Sequence, residues 1–150
     1  MVRINKKITP YNFTKSANKR NDYIIIHYVG AVSSAKANAN YFYNNKLEGN
    51  KKASAHYFVD ENEIWQVVED NNIAWHVGGA YKYYNGARNS NSIGIEMCCK
   101  LKNGRWYIEE KTIRNTIELV KLLVKRWNIP ISRIVTHYRN NRQVMSGTVC

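Results

Sequence analysis

The chain has 150 residues, 44% hydrophobic and 23% charged, with a formal net charge of +12. This is the profile of one globular domain that buries roughly two thirds of its unfolded surface, and the positive balance points to a polyanionic partner: nucleic acid, acidic lipid or the anionic polymers of a bacterial wall. No window reaches transmembrane length, and the basic start MVRINKKITP is not followed by an apolar stretch, so the expectation is a protein made in the cytosol without a signal peptide and without membrane insertion.

No internal repeat, low-complexity tract or linker-like shift in composition divides residues 1–150, so a single domain is expected. Residues 22–30, DYIIIHYVG, are β-branched and aromatic on both faces and read as a central strand stopped by Gly30. Residues 33–49, SSAKANANYFYNNKLEG, predict a helix with Ser33 or Ser34 as N-cap and Gly49 as C-terminal stop. Two strands follow, around His56 to Val59 and Ile64 to Val68, joined by the polar turn Asp60 to Glu63. Residues 71–91 read as a loop. The run SIGIEMCCK, 92–100, reads as a buried strand, and after it Ile113, Ile117, Val120, Val124 and Trp127 form an apolar helical stripe that Pro130 closes. A last short strand, RIVTHY, ends at His137. Strands and helices in this order predict an α/β fold, a central mixed sheet flanked by helices.

Ionisable residues inside these strands carry the chemical information, because strand side chains alternate faces. Gly94, Glu96 and Cys98 share one face of their strand, and Ile93, Ile95 and Met97 the other; His27 shares a face with Tyr23, Ile25 and Val29. Glycine beside the carboxylate leaves the room that a pocket requires. An unpaired buried carboxylate costs several kcal/mol, so Glu96 needs a partner, a water-filled pocket or a raised pKa. Taken singly, each residue also has a plainer reading. His27 and His137 fit hydrogen-bonded structural histidines, and Glu96 fits an ion pair with one of the many lysines and arginines. His56 and His76 fit polar-edge residues, and the four tryptophans fit core or groove lining. Three cysteines, Cys98, Cys99 and Cys150, are too few and too badly spaced for a disulfide framework; thiols or a metal ligand are expected, with Cys98 and Cys99 as small buried side chains.

No H-E-x-x-H helix, C-x-x-C pair, P-loop, G-x-G-x-x-G or G-x-S-x-G elbow is present, so a metal site would have to be assembled from distant segments. A nucleic-acid-binding domain would explain the charge, yet the basic residues are scattered and no such motif occurs.

The blocks YIIIHYVG, SSAKANANYFYNN, ASAHYFVDENEIWQVVED, IAWHVGG, RNSNSIGIEMC, TIELVKLLVKRWNIP and IVTHY, running from about Asp22 to Tyr138, resemble consecutive blocks of the zinc-dependent N-acetylmuramoyl-L-alanine amidases of the amidase-2 type. That family includes phage endolysins and relatives of the peptidoglycan recognition proteins. The resemblance implies a peptidoglycan recognition protein-like fold and a Zn2+ site made by His27, His137 and Cys150. It implies Glu96 as general base and Thr148 as hydrogen-bond donor to the oxyanion, with His76, Tyr57 and His56 contacting substrate. The segment HYRNNRQVMSGTVC departs from the family pattern: the loop between the last two ligands is longer, Arg139 stands where an acidic residue is common, and Thr148 replaces lysine. The implied reaction is hydrolysis of the amide between N-acetylmuramic acid and L-alanine, and the compositional bias toward Lys, Asn, Ile and Tyr points to a low-G+C Gram-positive host. A monomeric phage or prophage endolysin, with a wall-binding domain following in the full protein, is the implied context. A peptidoglycan-binding module without catalysis is the alternative, distinguished by its zinc content.

Overall fold

The structure, a computed structural model, describes residues 3–78 and 86–136. Two short strands, β1 (Ile4–Lys6) and β2 (Phe13–Thr14), precede the central strand β3 (Tyr23–Val32). Gly30 does not end β3. The strand continues to Val32 through a break in register, and its last residues emerge from the core.

The first helix, α1 (Ala35–Asn44), starts at Ser34, whose hydroxyl accepts a hydrogen bond from the Ala37 amide at 3.1 Å. It ends at Asn45, four residues before the expected stop, because Gly49 opens a separate 3-10 turn. The hairpin strands β4 (Tyr57–Val59) and β5 (Ile64–Gln66) are joined by Asp60, whose carboxylate accepts the amides of Asn62 and Glu63, both at 2.8 Å. Within the expected loop, β6 (Ile73–Ala74) pairs antiparallel with β2.

The Glu96 strand is β7 (Ser92–Lys102), and the short β8 (Arg105–Tyr107) folds back on its far end. Helix α2 (Glu110–Trp127) follows and stops at Asn128 rather than Pro130. Asn128 takes the left-handed conformation with φ 52°, and the Ile129 amide bonds back to the Val124 carbonyl. The buried face of α2 is Thr112, Asn115, Thr116, Leu119 and Leu123, while Ile117, counted in the apolar stripe, is exposed. Two of the polar side chains on that face are paired: Asn115 donates to the Asp60 carbonyl and Thr116 to the Thr112 carbonyl, each at 2.8 Å, while the buried Thr112 hydroxyl has no partner. The last described strand is β9 (Ile134–Thr136).

The main sheet runs β1-β5-β4-β7-β3-β9. It is mixed: β1 with β5, β4 with β7, β7 with β3 and β3 with β9 are parallel, and β4 with β5 is antiparallel. One helix packs on each face, as expected for an α/β fold. Ile24, Ile93, Ile95, Tyr57 and Val59 meet Leu119 and Leu123 of α2 on one side; Phe58, Val67 and Cys98 meet Ala35 and Ala39 of α1 on the other. None of the described helices is long and apolar enough to cross a membrane.

Candidate active site

The register of the two central strands places the site. Parallel pairing sets His27 of β3 opposite Glu96 of β7, and Phe58 of β4 opposite Glu96 on the other side. All three point to the face that carries α1, but the helix covers only part of it. The remainder is a cleft of about 590 Å³ whose walls include His27, Glu96, Asn38, Ser54, Trp75 and His76.

Glu96 borders the cleft, yet its Oε2 is closed off from solvent and has no hydrogen-bond partner. None of the ion pairs among the described residues involves it. Burial alone pushes its carboxyl from the ordinary 4.5 to about 8.

The room left by Gly94 is filled. A Cβ at that position would lie 2.5 Å from Cγ of His76, so the glycine is there to seat the His76 ring. His76 Nδ1 lies 2.9 Å from His27 Nε2, and its Nε2 lies 3.1 Å from the Ser92 hydroxyl. Both ring nitrogens of His76 therefore face protein partners rather than the cleft. Burial lowers its pKa well below the usual histidine value, with the nearby His56, His27 and Lys19 acting in the same direction.

His56 and Tyr57 do not reach the cleft, contrary to the expectation of substrate contact. His56 is wholly buried: its Nδ1 accepts the Gly94 amide at 3.0 Å, and its Nε2 lies 3.0 Å from both the Asn72 carbonyl and Lys19 Nζ. Burial holds its pKa well below the usual value, helped by Lys19, and the same burial lowers the Lys19 amine to about 7. Tyr57 pairs with Ile95, on the opposite face of the sheet from Glu96, and its hydroxyl donates to Asp70 at 2.7 Å under α2. Phe58, one residue on, takes the cleft position.

Cys98 and Cys99 are buried as expected. Cys98 keeps a free thiol, which burial pushes up to about 12 with Asp60 adding to it, whereas Cys99 is disulfide-bonded, contrary to the expectation of thiols or metal ligands. His137, Thr148 and Cys150 lie outside the described residues. His137 directly follows Thr136, which pairs with Ile26, the residue before His27.

The described part of the site fits a divalent cation in its chemistry. A buried carboxyl oxygen without a hydrogen-bond partner lies in the same cleft as the His27 imidazole of the neighbouring strand, and carboxylate oxygen and imidazole nitrogen are donor types that suit a divalent cation. Among the described residues no three His, Cys, Asp or Glu side chains converge as ligands, and His27 is the single expected ligand among them.

Asn38, Phe42 and Phe58, which were not expected, line the cleft together with Ser54. Ser92 and Asn89 were also missed. Asn89 Oδ1 accepts the amides of His76 and Val77 at 3.0 and 2.8 Å and so holds the histidine loop to the end of β7. The polar run RNSNS ahead of the strand was the available signal.

Comparison with known proteins gives a consistent answer. The sequence profile described as Amidase_2, N-acetylmuramoyl-L-alanine amidase, matches residues 17–150. A probable N-acetylmuramoyl-L-alanine amidase of Bacillus licheniformis is 35% identical over 120 residues, 77% of this chain and 33% of that protein. A mutant endolysin from Bacillus subtilis superposes with a TM-score of 0.72 at 31% identity, covering 91% of this chain and 84% of that one. The catalytic domain of XlyA superposes with a TM-score of 0.71 at 30% identity, over 91% and 84% of the two chains. The chain spans about a third of the length of the curated relatives it matches, 33% for the first of them.

Proposed function

Because this chain belongs to the Amidase_2 family of N-acetylmuramoyl-L-alanine amidases, we propose that it hydrolyses the amide bond between the lactyl group of N-acetylmuramic acid and L-alanine of peptidoglycan. The observation that carries the reading is Glu96: a carboxylate with a buried, partnerless oxygen beside a histidine at the edge of a cleft. A module that only bound peptidoglycan would have no use for so costly a group, whereas an acid–base catalyst needs a carboxyl whose affinity for a proton is raised toward neutrality.

His27, His137 and Cys150, the last as a reduced thiolate, are the proposed ligands of a zinc ion. When bound there, zinc would polarise the scissile carbonyl and acidify the attacking water. Glu96 takes the proton from that water and later delivers it to the leaving amine of L-alanine. Thr148 is the proposed donor to the oxyanion. Asn38, Ser54 and Trp75 offer polar and aromatic contacts to the glycopeptide along the cleft. His56 and Tyr57 shape the sheet behind the site and do not touch substrate.

The net charge of +12 suits a polyanionic wall. Similarity to an endolysin supports action on a Gram-positive wall after release from the producing cell, as a monomeric phage or prophage endolysin does. The test is release of soluble stem peptides from purified Gram-positive peptidoglycan. A chelator should abolish release, and zinc added back alone should restore it. Release at an undiminished rate in excess chelator would refute the zinc-dependent reading.

A further inference from the structure

We propose that His76 is a positioning residue: a hydrogen-bond chain from the Arg88 carbonyl through Ser92 and His76 places the proton of His27 on Nε2 and so presents Nδ1 as its metal-ligating nitrogen. The inference rests on the zinc reading above and deepens it.

The direction of the chain follows from its first member. A backbone carbonyl can only accept, so the Ser92 hydroxyl gives its single proton to the Arg88 carbonyl at 2.6 Å. Its oxygen is then left to accept, and the partner at 3.1 Å is His76 Nε2, which must carry a proton. A neutral imidazole has one N–H, so His76 Nδ1 holds a lone pair. That lone pair faces His27 Nε2 at 2.9 Å and requires an N–H there. His27 is thereby fixed in the tautomer whose lone pair is on Nδ1. The reverse direction would put the proton on Nδ1 and remove the ligating lone pair.

Each link is held from outside the chain. The His76 backbone is fixed by the Asn89 carboxamide, and its ring rests against Gly94, where a Cβ would lie 2.5 Å from Cγ. The His56 ring packs edge-on to it with centroids 5.7 Å apart. His76 is 8% exposed and Ser92 wholly buried, so water does not compete for these bonds. Metal-binding histidines generally depend on such a partner on the second nitrogen, and its loss lowers metal affinity about 10- to 100-fold.

The test has two readouts. Long-range ¹H–¹⁵N NMR on the metal-free protein should show His27 protonated on Nε2, and chelator competition should give the zinc affinity of each variant. His76→Leu removes the acceptor and should weaken zinc binding by about 10- to 100-fold. His76→Asn returns an acceptor near the place of Nδ1 and should restore most of the affinity. If His76→Leu does not fold, Gly94→Ala carries the same test, because its Cβ displaces the ring without altering a hydrogen-bonding group. A metal-free His27 protonated on Nδ1, or a folded His76→Leu protein that binds zinc as tightly as the parent, would overturn the inference. A parent protein that takes up no zinc but shows the Nε2–H tautomer would overturn the zinc reading and support the hydrogen-bond chain.

Discussion

Glu96→Gln should lower turnover roughly 100- to 10,000-fold while leaving bound zinc unchanged, the range set by loss of one positioned proton-transfer group. Glutamine keeps the shape and fills the same place between His27 and Phe58. It cannot accept the proton of water or return it to the leaving amine. A variant with near-normal turnover would remove Glu96 from the mechanism. The same substitution reports on the carboxyl itself. In the metal-free protein burial raises its pKa to about 8, against an ordinary 4.5 in the unfolded chain. The folded state therefore holds a proton that the unfolded state gives up, and stability falls as pH rises through the window from 4.5 to 8. Glu96→Gln abolishes that loss. The metal-free variant should be more stable than the parent at pH 9, by at most about 5 kcal/mol, and the advantage should disappear by about pH 4. Denaturant titrations at the two pH values measure both limbs, and an equal difference at both would show that Glu96 is not the group responsible.

Asp70→Ala should be the most damaging change away from the cleft, costing on the order of 3–5 kcal/mol. The Asp70 carboxylate is buried, with donors on both oxygens. Oδ1 accepts the Tyr57 hydroxyl at 2.7 Å and the Gln66 carboxamide at 3.2 Å; Oδ2 accepts Trp127 Nε1 at 3.0 Å and Arg126 at 3.2 Å. It thus joins β4, β5 and the end of α2. Removing it strands the Tyr57 hydroxyl in the core, leaves the Gln66 amide only the Val68 carbonyl at 3.4 Å, and leaves Arg126 without its partner. The melting temperature should fall by on the order of 10 °C. Tyr57→Phe, which deletes a single donor, should cost about 1 kcal/mol. If Asp70→Ala cost no more than that, the convergence would be geometric rather than energetic.

Face alternation within each strand was readable from the sequence, because period-two patterning needs no knowledge of neighbours: His27 with Tyr23 and Ile25, and Glu96 with Gly94 and Cys98, fall together as expected. Register between strands was not readable. A shift of one residue exchanges faces, and pairing places Phe58 beside Glu96 while Tyr57, which the resemblance implied as a substrate contact, falls on the other face. The stripe on α2 was drawn from apolar residues alone, so Thr112, Asn115 and Thr116 were missed; the Asn115 and Thr116 side chains are buried through hydrogen bonds to a segment distant in sequence and to the preceding turn. Strands β1, β2, β6 and β8 have only two or three residues each, too few for a periodic signal, and acquire their form from pairing. Gly94 was correctly singled out as making room, but the occupant of that room, His76, comes from a loop 18 residues upstream whose placement no local pattern encodes.

The measurement that bears most directly on the central claim is mass spectrometry of the soluble products from purified Gram-positive peptidoglycan digested by the zinc-loaded protein. The account predicts intact stem peptides with new L-alanine amino termini, together with glycan strands whose lactyl carboxyl groups are free. Products cut within the stem peptide or between sugars, with the lactyl amide intact, would contradict it.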